Sequence, residues 1–247
     1  MVKLTKLLLG PFKQIVIGIR QTISTYMPIW IKKSVGPIFF YLDMLFLDHG
    51  IFRIVYFNKH KLSGTNGWRS AQPTPYQLAE LARHGIKTVV NLRGERVCGS
   101  YFLEKEACTR YGLTLENYQI RSRASPTPAE LYGARDLFQR IEYPMLMHCK
   151  AGADRVGLMS ILFLHIRYSW SIENALKEHL SLKYGHIRQA NTGILDHFFK
   201  TYIKYNRHTP IDFFDWVDTA YDPSEVHKTF YANGFANRLI EDILHRE

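Results

Sequence analysis

Short apolar runs, separated by longer segments with helical periodicity, occupy the middle of the chain. Three of these runs, residues 87–92, 113–120 and 144–147, have the length and composition of buried strands. Helices are predicted around them, over residues 75–85, 101–111, 127–141, 156–168, 171–184 and 192–205. Strands that alternate with helices are typical of a mostly parallel sheet covered on both faces. The pattern therefore predicts an α/β fold with a mostly parallel central sheet flanked by helices.

Two local signals add detail to this pattern. The stretch Thr127-Pro-Ala-Glu130 is a capping box with proline at the first helical position. Asn66-Gly67 is a strong turn signal between two segments that look extended, residues 52–57 and 68–71. We therefore predict a helix start at the first site and a hairpin at the second.

The first sixty residues differ from the rest of the chain. They hold eight Lys or Arg, two Asp and no Glu, and glycine and proline cut their apolar segments into short lengths. This mixture of basic, aromatic and aliphatic residues suits helices that lie on an anionic membrane surface. It also suits a helical extension packed on the rest of the protein. No run of about 20 uncharged residues is present for a transmembrane helix.

The formal net charge is +10 and the pI is near 9.5, which favours phosphorylated or otherwise anionic partners. No zinc-finger or RNA-recognition signature is visible, so we expect no nucleic acid partner. The three cysteines show no paired framework, which suits a reducing compartment, and no convincing secretory signal is present. We therefore expect the chain in the cytoplasm, with peripheral attachment to the inner face of a membrane as an option.

The segment after the apolar run 144–147 contains His148, Cys149, five residues and then Arg155. A loop that joins a buried strand to a helix turns backbone N–H groups inward, and with the helix dipole it forms an anion site. Gly152 allows a turn that a Cβ would hinder. The planar guanidinium of Arg155 matches two phosphoryl oxygens. A Cys149 thiol in that field should ionise easily and attack phosphorus.

The order His148-Cys149, five residues, Arg155 resembles the signature loop of the cysteine-dependent protein tyrosine and dual-specificity phosphatases. The likeness covers about residues 68–199, and residues 69–73 resemble a segment of bacterial members. It implies a dual-specificity-phosphatase-like fold with an N-terminal helical extension. It also implies phosphomonoester hydrolysis through a phosphocysteine intermediate, with no metal or cofactor. A rhodanese-like or arsenate-reductase-like loop and a buried structural cysteine are the alternatives.

This interpretation divides the chain into three parts. Residues 1–60 form the basic apolar extension, residues 61–206 form the phosphatase catalytic domain, and residues 207–247 form a C-terminal extension. The last part ends in a segment with amphipathic periodicity, for which we predict a helix over residues 224–245.

Cys149 is the expected nucleophile, and Arg155 is expected to stabilise the transferring phosphoryl group. His148 is expected to orient the loop by hydrogen bonding, unless it is an ordinary core histidine. The other predicted substrate-binding residues are Lys150, Ala151, Gly152, Ala153, Arg121, Arg93 and Gln189. The cations among them favour multiply phosphorylated substrates, unless they are only solvated surface charges.

The acid for the leaving oxygen departs from the family pattern. In the family an Asp stands on a loop well before the cysteine, but this chain has no carboxylate between Glu116 and Glu130. Asp154 is the nearest catalytic substitute. Alternatively, Asp154 pairs with Arg93 or another arginine. In that case water supplies the proton, or a good leaving group makes a strong acid unnecessary. Val156 replaces a Ser or Thr that helps to release the phospho-enzyme in the family, so slow turnover is expected.

Three functions remain open at this point. The leading one is a dual-specificity type of phosphatase that acts on phosphotyrosine or on mixed phosphoproteins. The second is a phosphatase of acidic phospholipids such as phosphatidylglycerophosphate or a phosphoinositide, favoured by residues 1–60, Lys150 and Asp154. The third is a catalytically silent phosphate-binding module, against which the intact Cys149 and Arg155 argue.

Overall fold

The computed structural model describes residues 38–48 and 50–232. Its centre is a sheet made of β1 (His60–Lys61), β2 (Gly67–Ala71), β3 (Thr88–Asn91), β4 (Thr114–Asn117) and β5 (Met145–Cys149). The strands lie in the order β1-β2-β5-β3-β4. β1 pairs antiparallel with β2, and the remaining neighbours pair in parallel. The predicted mostly parallel α/β fold is confirmed.

Helices connect the strands and continue after them. Their bounds are α1 (Gly50–Val55), α2 (Pro75–Arg83), α3 (Gly99–Tyr111), α4 (Pro128–Arg140), α5 (Asp154–Tyr168), α6 (Ile172–His179), α7 (Ile194–His208) and α8 (Phe213–Thr219). Residues 38–42 are helical and continue into a π-helical turn, Asp43–Leu47. Residues 223–232 are also helical.

The central strand β5 is buried at every position and separates two hydrophobic cores. Met145 and Met147 face the larger core, which α4, α5, α6 and α7 complete. Leu146 faces the smaller core under α2 and α3. Trp216 of α8 and Val226 also belong to the larger core, so the C-terminal segment packs on the same body as the sheet.

The strand register brings three strand ends together at one edge of the sheet. Ala71 at the end of β2 lies opposite Cys149, and Asn91 at the end of β3 lies opposite His148. The carboxyl ends of parallel strands are where open α/β sheets bind ligands. The fold therefore places the predicted loop at a ligand-binding edge.

The extended strand predicted for residues 52–57 is wrong, because helix α1 occupies most of that stretch. Arg53 is only 6% exposed, and its guanidinium donates to Asp48 and to Gln72. The helix directs this charge inward and leaves apolar neighbours exposed, which is the reverse of an ordinary amphipathic helix. A buried ion pair therefore overrides the alternating pattern of the sequence.

The predicted capping box and hairpin are both present in the structure. The capping box is present, since the Thr127 hydroxyl accepts from the Glu130 N–H and the Glu130 carboxylate accepts from the Thr127 N–H. A hairpin joins β1 and β2 across the predicted turn. The helix predicted over 171–184 ends early, and a separate 3-10 turn, Leu182–Tyr184, follows it. Residues 233–247, and most of residues 1–60, lie outside the described part of the chain.

Candidate active site

Cys149 is the last residue of β5 and is 3% exposed. The loop from residue 149 to residue 155, called the phosphate loop below, leads from it into α5. Gly152 in this loop has a φ of +74°, and a Cβ there would lie 2.6 Å from the backbone nitrogen of Ala71. Glycine is therefore required both for the backbone conformation and for the close approach to β2.

The carbonyls of residues 150–153 are all held from outside the phosphate loop. The donors are the N–H of Gln72 to Lys150 O (3.4 Å), Asn58 Nδ2 to Ala151 O (3.0 Å), and Arg69 Nη2 to Gly152 O (2.9 Å) and Ala153 O (3.2 Å). In a trans peptide the N–H points away from the preceding C=O. The N–H groups of residues 151–154 therefore face the inside of the loop. With the positive end of the α5 dipole they form an anion cup at Cys149.

Arg69 of β2 supports this cup from outside the phosphate loop. It is fully buried on β2, and its second nitrogen, Nη1, donates to the carbonyl of His179 at 3.0 Å. Its guanidinium stacks on the ring of Tyr184, 3.8 Å from the centroid. Burial lowers the pKa of Arg69 to about 10, so the side chain stays cationic at neutral pH. Its positive charge therefore adds to the field behind the loop.

His148 lies fully buried beside Cys149. Its Nδ1 is 3.4 Å from the carbonyl oxygen of Cys149, and its Nε2 contacts a carboxylate oxygen of Glu104. The other oxygen of Glu104 accepts from Gln72 Nε2 at 2.7 Å. These contacts hold the backbone at Cys149 in place.

Arg155 opens onto a groove of about 390 Å³ beside the phosphate loop. Its Nη1 donates to the carbonyl of Leu92 at 3.4 Å. The charged lining of the groove consists of Arg93, Arg96, Arg121, Arg123 and Arg155 against Glu95. Arg121 is partly neutralised, because its Nη2 donates to Glu130 at 3.2 Å. The groove therefore carries a marked excess of positive charge next to Cys149.

Arg93 and Lys150, two of the predicted substrate-binding residues, both lie against Asp48. Arg93 is bidentate to this carboxylate, at 2.6 and 2.9 Å, and Lys150 Nζ lies 3.4 Å from it. Burial favours the neutral acid, but hydrogen bonding and charge from Arg93, with the charge of Arg53, hold the pKa of Asp48 well below its usual value. Asp48 is therefore a carboxylate at every physiological pH.

Asp154 pairs with a histidine rather than with the arginine considered from the sequence. Its Oδ1 lies 2.7 Å from His186 Nδ1, and the other ring nitrogen of His186 contacts Asp196 on α7. Burial opposes the charge on His186, but hydrogen bonds to these two carboxylates raise its pKa to about 9. His186 is thus an imidazolium at neutral pH and donates to Asp154. Arg188 Nε completes the cluster, 3.1 Å from Asp196.

The remaining predicted residues divide into two groups. Ala151 and Gln189 are exposed, whereas Ala153 and Val156 are buried. Sequence reasoning did not single out four polar residues that the structure places around the loop: Asp48, Asn58, Arg69 and Glu104. Arg69 lies within the family-like segment 69–73, and this was the one signal that pointed to any of them.

A family model described as a DSP-PTPase phosphatase fused to NAD+ kinase matches residues 52–193, which is more than half of the chain. The chain belongs to this family of dual-specificity-type phosphatases. The family and the fold are those of a phosphatase enzyme. A comparison with curated proteins found no match.

Several solved structures resemble the chain in fold. TpbA of P. aeruginosa is 22% identical with a TM-score of 0.49, over 59% of this chain and 84% of TpbA. The core catalytic domain of the PP-IP phosphatase SIW14 from S. cerevisiae is 18% identical with a TM-score of 0.45, over 63% and 96%. PTPMT1 is 21% identical with a TM-score of 0.43, over 61% and 99%. These likenesses concern the fold alone.

Proposed function

We propose that the chain is a cysteine-dependent phosphomonoester hydrolase of the protein tyrosine and dual-specificity type, acting through a phosphocysteine. The observation that carries the proposal is the phosphate loop itself. Its inward N–H groups and Arg155 surround a cysteine that lies at the base of the loop. Such a site stabilises the equatorial oxygens of a transferring phosphoryl group without a metal ion.

The reaction has two steps. The Cys149 thiolate attacks phosphorus, the S–P bond forms, the P–O bond to the leaving group breaks, and the leaving oxygen takes a proton from Asp154. Water then attacks the same phosphorus, its proton returns to Asp154, and inorganic phosphate leaves as the thiolate is restored. Val156 has no hydroxyl to assist the second step, which is therefore the expected slow step.

The groove next to Arg155 supports a multiply charged substrate. Its arginines outnumber its carboxylate, so they attract a phosphoprotein segment with further acidic or phosphorylated residues. We therefore assign phosphotyrosine or mixed phosphoproteins as the leading substrate class. The free cysteines are also consistent with a cytoplasmic enzyme.

The first experiment measures hydrolysis of an aryl phosphate by the purified full-length chain in excess EDTA. We expect turnover unaffected by the chelator, because backbone N–H groups and Arg155 supply the positive charge that a metal would otherwise provide. Loss of turnover with EDTA and recovery with a divalent cation would contradict the proposal. Absence of hydrolysis with intact phosphate binding would instead favour the silent phosphate-binding module.

A second candidate function is hydrolysis of an acidic phospholipid at a membrane surface. The observation that favours it is the exposed apolar face of α1, where Ile54 is 52% and Val55 is 85% exposed. Arg53 of the same helix binds Asp48, which in turn lies against Lys150, so this face is tied to the rim of the phosphate loop. Among the described residues, no helix is long and apolar enough to span a bilayer.

We expect the full-length chain to sediment with anionic liposomes, and the bound fraction to fall steeply with salt. Arg53 is buried against Asp48, and each of the other seven cations in residues 1–60 contributes on the order of 1 kcal/mol near such a surface. Replacing Ile54 and Val55 together by Glu should weaken binding by about tenfold or more, since two apolar side chains no longer enter the interface.

Leu182→Glu is the matched control for this substitution. Leu182 is 77% exposed but lies in the 3-10 turn after α6 rather than on α1. The Leu182→Glu variant should therefore leave liposome binding unchanged. Equal binding by the double α1 variant and the unchanged chain would count against the membrane function while leaving the phosphoprotein function intact.

A further inference from the structure

Three cations from separate segments meet at one carboxylate beside the phosphate loop. Asp48 accepts from Arg93 at 2.6 and 2.9 Å and from Arg53 at 3.1 Å, and Lys150 Nζ lies 3.4 Å away. The hydroxyl of Ser100 donates to the same carboxylate at 2.7 Å. Asp48 is the carboxylate that these three cations contact, and Glu104 is a second carboxylate whose charge acts on Arg53 and Arg93, so three cations outnumber two carboxylates.

The geometry of this cluster is that of an anion-binding site. Arg93 offers its planar guanidinium in the bidentate arrangement that guanidinium groups use for carboxylates and phosphates alike. The Arg53 and Arg93 side chains are 7% and 3% exposed, so both charges are held in place. Gln72 Oε1 accepts from both guanidinium groups and fixes their spacing.

The cluster adjoins the reaction centre. Lys150 directly follows Cys149 in the chain, and Arg93 lines the same groove as Arg155. When one phosphoryl group of a substrate lies in the phosphate loop, a second anionic group of the same substrate can therefore reach the cluster. Asp48 occupies that second position in the structure.

We propose that Arg53, Arg93, Lys150 and the Ser100 hydroxyl form a second phosphoryl subsite next to the phosphate loop, which the Asp48 carboxylate occupies in the absence of substrate. Its ligand is a second phosphoryl group of a multiply phosphorylated substrate, which must displace Asp48. The substrate part of the proposal rests on the proposed function, whereas the existence of a second anion site does not.

The origin of Asp48 supports its role as a displaceable occupant. Asp48 lies outside the family-matched residues 52–193, whereas Arg53, Arg93, Ser100 and Lys150 lie within them. Its segment is held separately, by the buried Met44 and by Asp43, which accepts from the Gly99 N–H at 2.5 Å. The cations therefore lie within the family-matched residues, and the carboxylate lies on the segment that precedes them.

The experiment counts inorganic phosphate ions bound by the full-length chain, with isothermal titration calorimetry. We expect one ion for the unchanged protein and two for Asp48→Asn, which keeps the side-chain volume and removes the competing charge. Asp43→Asn is the matched control, because it alters the same segment without touching the cations, and it should bind one ion. A folded Asp48→Asn variant that binds a single ion would overturn the proposal.

Two further variants separate the subsite from the phosphate loop. Arg155→Ala should lose the single ion, and Arg155→Ala combined with Asp48→Asn should bind one ion again. If the unchanged protein shows no catalysis, the proposed function is wrong, whereas the ion count still decides whether the subsite exists. Adding Arg93→Gln to Asp48→Asn should remove the second ion, and a second ion that persists would place it elsewhere.

Uncompensated buried arginines destabilise a fold, so thermal unfolding is measured as well. In phosphate-free buffer Asp48→Asn should unfold at a lower temperature than the unchanged protein. Added phosphate should raise its midpoint more than that of the unchanged protein, since ligand that binds only the folded state stabilises it. Equal increases in both proteins would contradict a newly opened site.

The last experiment tests whether the second phosphoryl group belongs to a substrate or is free phosphate. KM is compared for aryl substrates with one and with two phosphate groups. Asp48→Asn should lower KM about tenfold for the bisphosphate only, because one charge-assisted contact is gained there. A second ion bound from free phosphate, without any change in KM for the bisphosphate, would overturn the assignment of the subsite to substrate.

Discussion

Replacing Cys149 by serine is expected to abolish turnover of aryl phosphates while binding of inorganic phosphate persists. The hydroxyl is a far weaker nucleophile than a thiolate, so the loss should be on the order of 10⁶-fold, as for other removed nucleophiles. Phosphate binding depends on the N–H groups of residues 151–154 and on Arg155, which the substitution leaves in place. Turnover is measured with an aryl phosphate, and binding is measured by calorimetry.

Cys98→Ser and Arg155→Lys are the comparison variants. Cys98 is the N-cap residue of α3 and lies outside the phosphate loop, and serine suits a helix N-cap, so the Cys98→Ser variant should keep its activity. Arg155→Lys keeps the charge but loses the planar fork, and it should weaken phosphate binding as well as turnover. Full activity in Cys149→Ser would mean that a different group attacks phosphorus.

The part of the site that the sequence predicts is the part built from adjacent residues. Cys149, Gly152 and Arg155 follow one another within a single strand-loop-helix unit. Their spacing along the chain therefore determines their spacing in the fold. The same applies to the capping box at Thr127, which involves contacts over three residues. Local signals of this kind need no knowledge of tertiary structure.

The residues that hold the phosphate loop in place come from distant positions in the sequence, and no periodic pattern in the sequence marks them. Arg69 reaches Gly152 across 83 residues, and Glu104 of helix α3 contacts His148 of strand β5. A buried charge is recognisable only when its partner is known, because the same residue is ordinarily found in solvent. The incorrect prediction of a strand at residues 52–57 has the same cause, since the burial of Arg53 requires its ion pair with Asp48.

The proposed leaving-group acid, Asp154, shows this limit most clearly. The sequence offered an arginine as the alternative partner of Asp154, but the structure supplies His186 from a segment 32 residues away. His186 stays protonated up to about pH 9 and donates to Oδ1. The raised pKa rests in part on the negative charge of Asp154, so Asp154 can deliver a proton to a leaving group only after its other oxygen has taken one up.

Asp154→Asn is expected to slow hydrolysis of alkyl phosphates by 10²–10⁴-fold, the range typical of general acid catalysis. Aryl phosphates with good leaving groups should lose much less, because their leaving oxygen departs without a proton. The decisive measurement is the ratio of the two losses in kcat/KM, on the same preparation. A large ratio identifies Asp154 as the acid.

Asp196→Asn is the matched control for that ratio. It removes the charge on the far side of His186 without touching the phosphate loop, and it should lower both rates by a similar factor. If Asp154→Asn behaves in the same way, with equal losses on alkyl and aryl substrates, Asp154 holds the shape of the loop through His186. If it loses nothing on either substrate, water supplies the proton. The ratio therefore separates a proton donor from a positioning carboxylate, which a single rate constant does not.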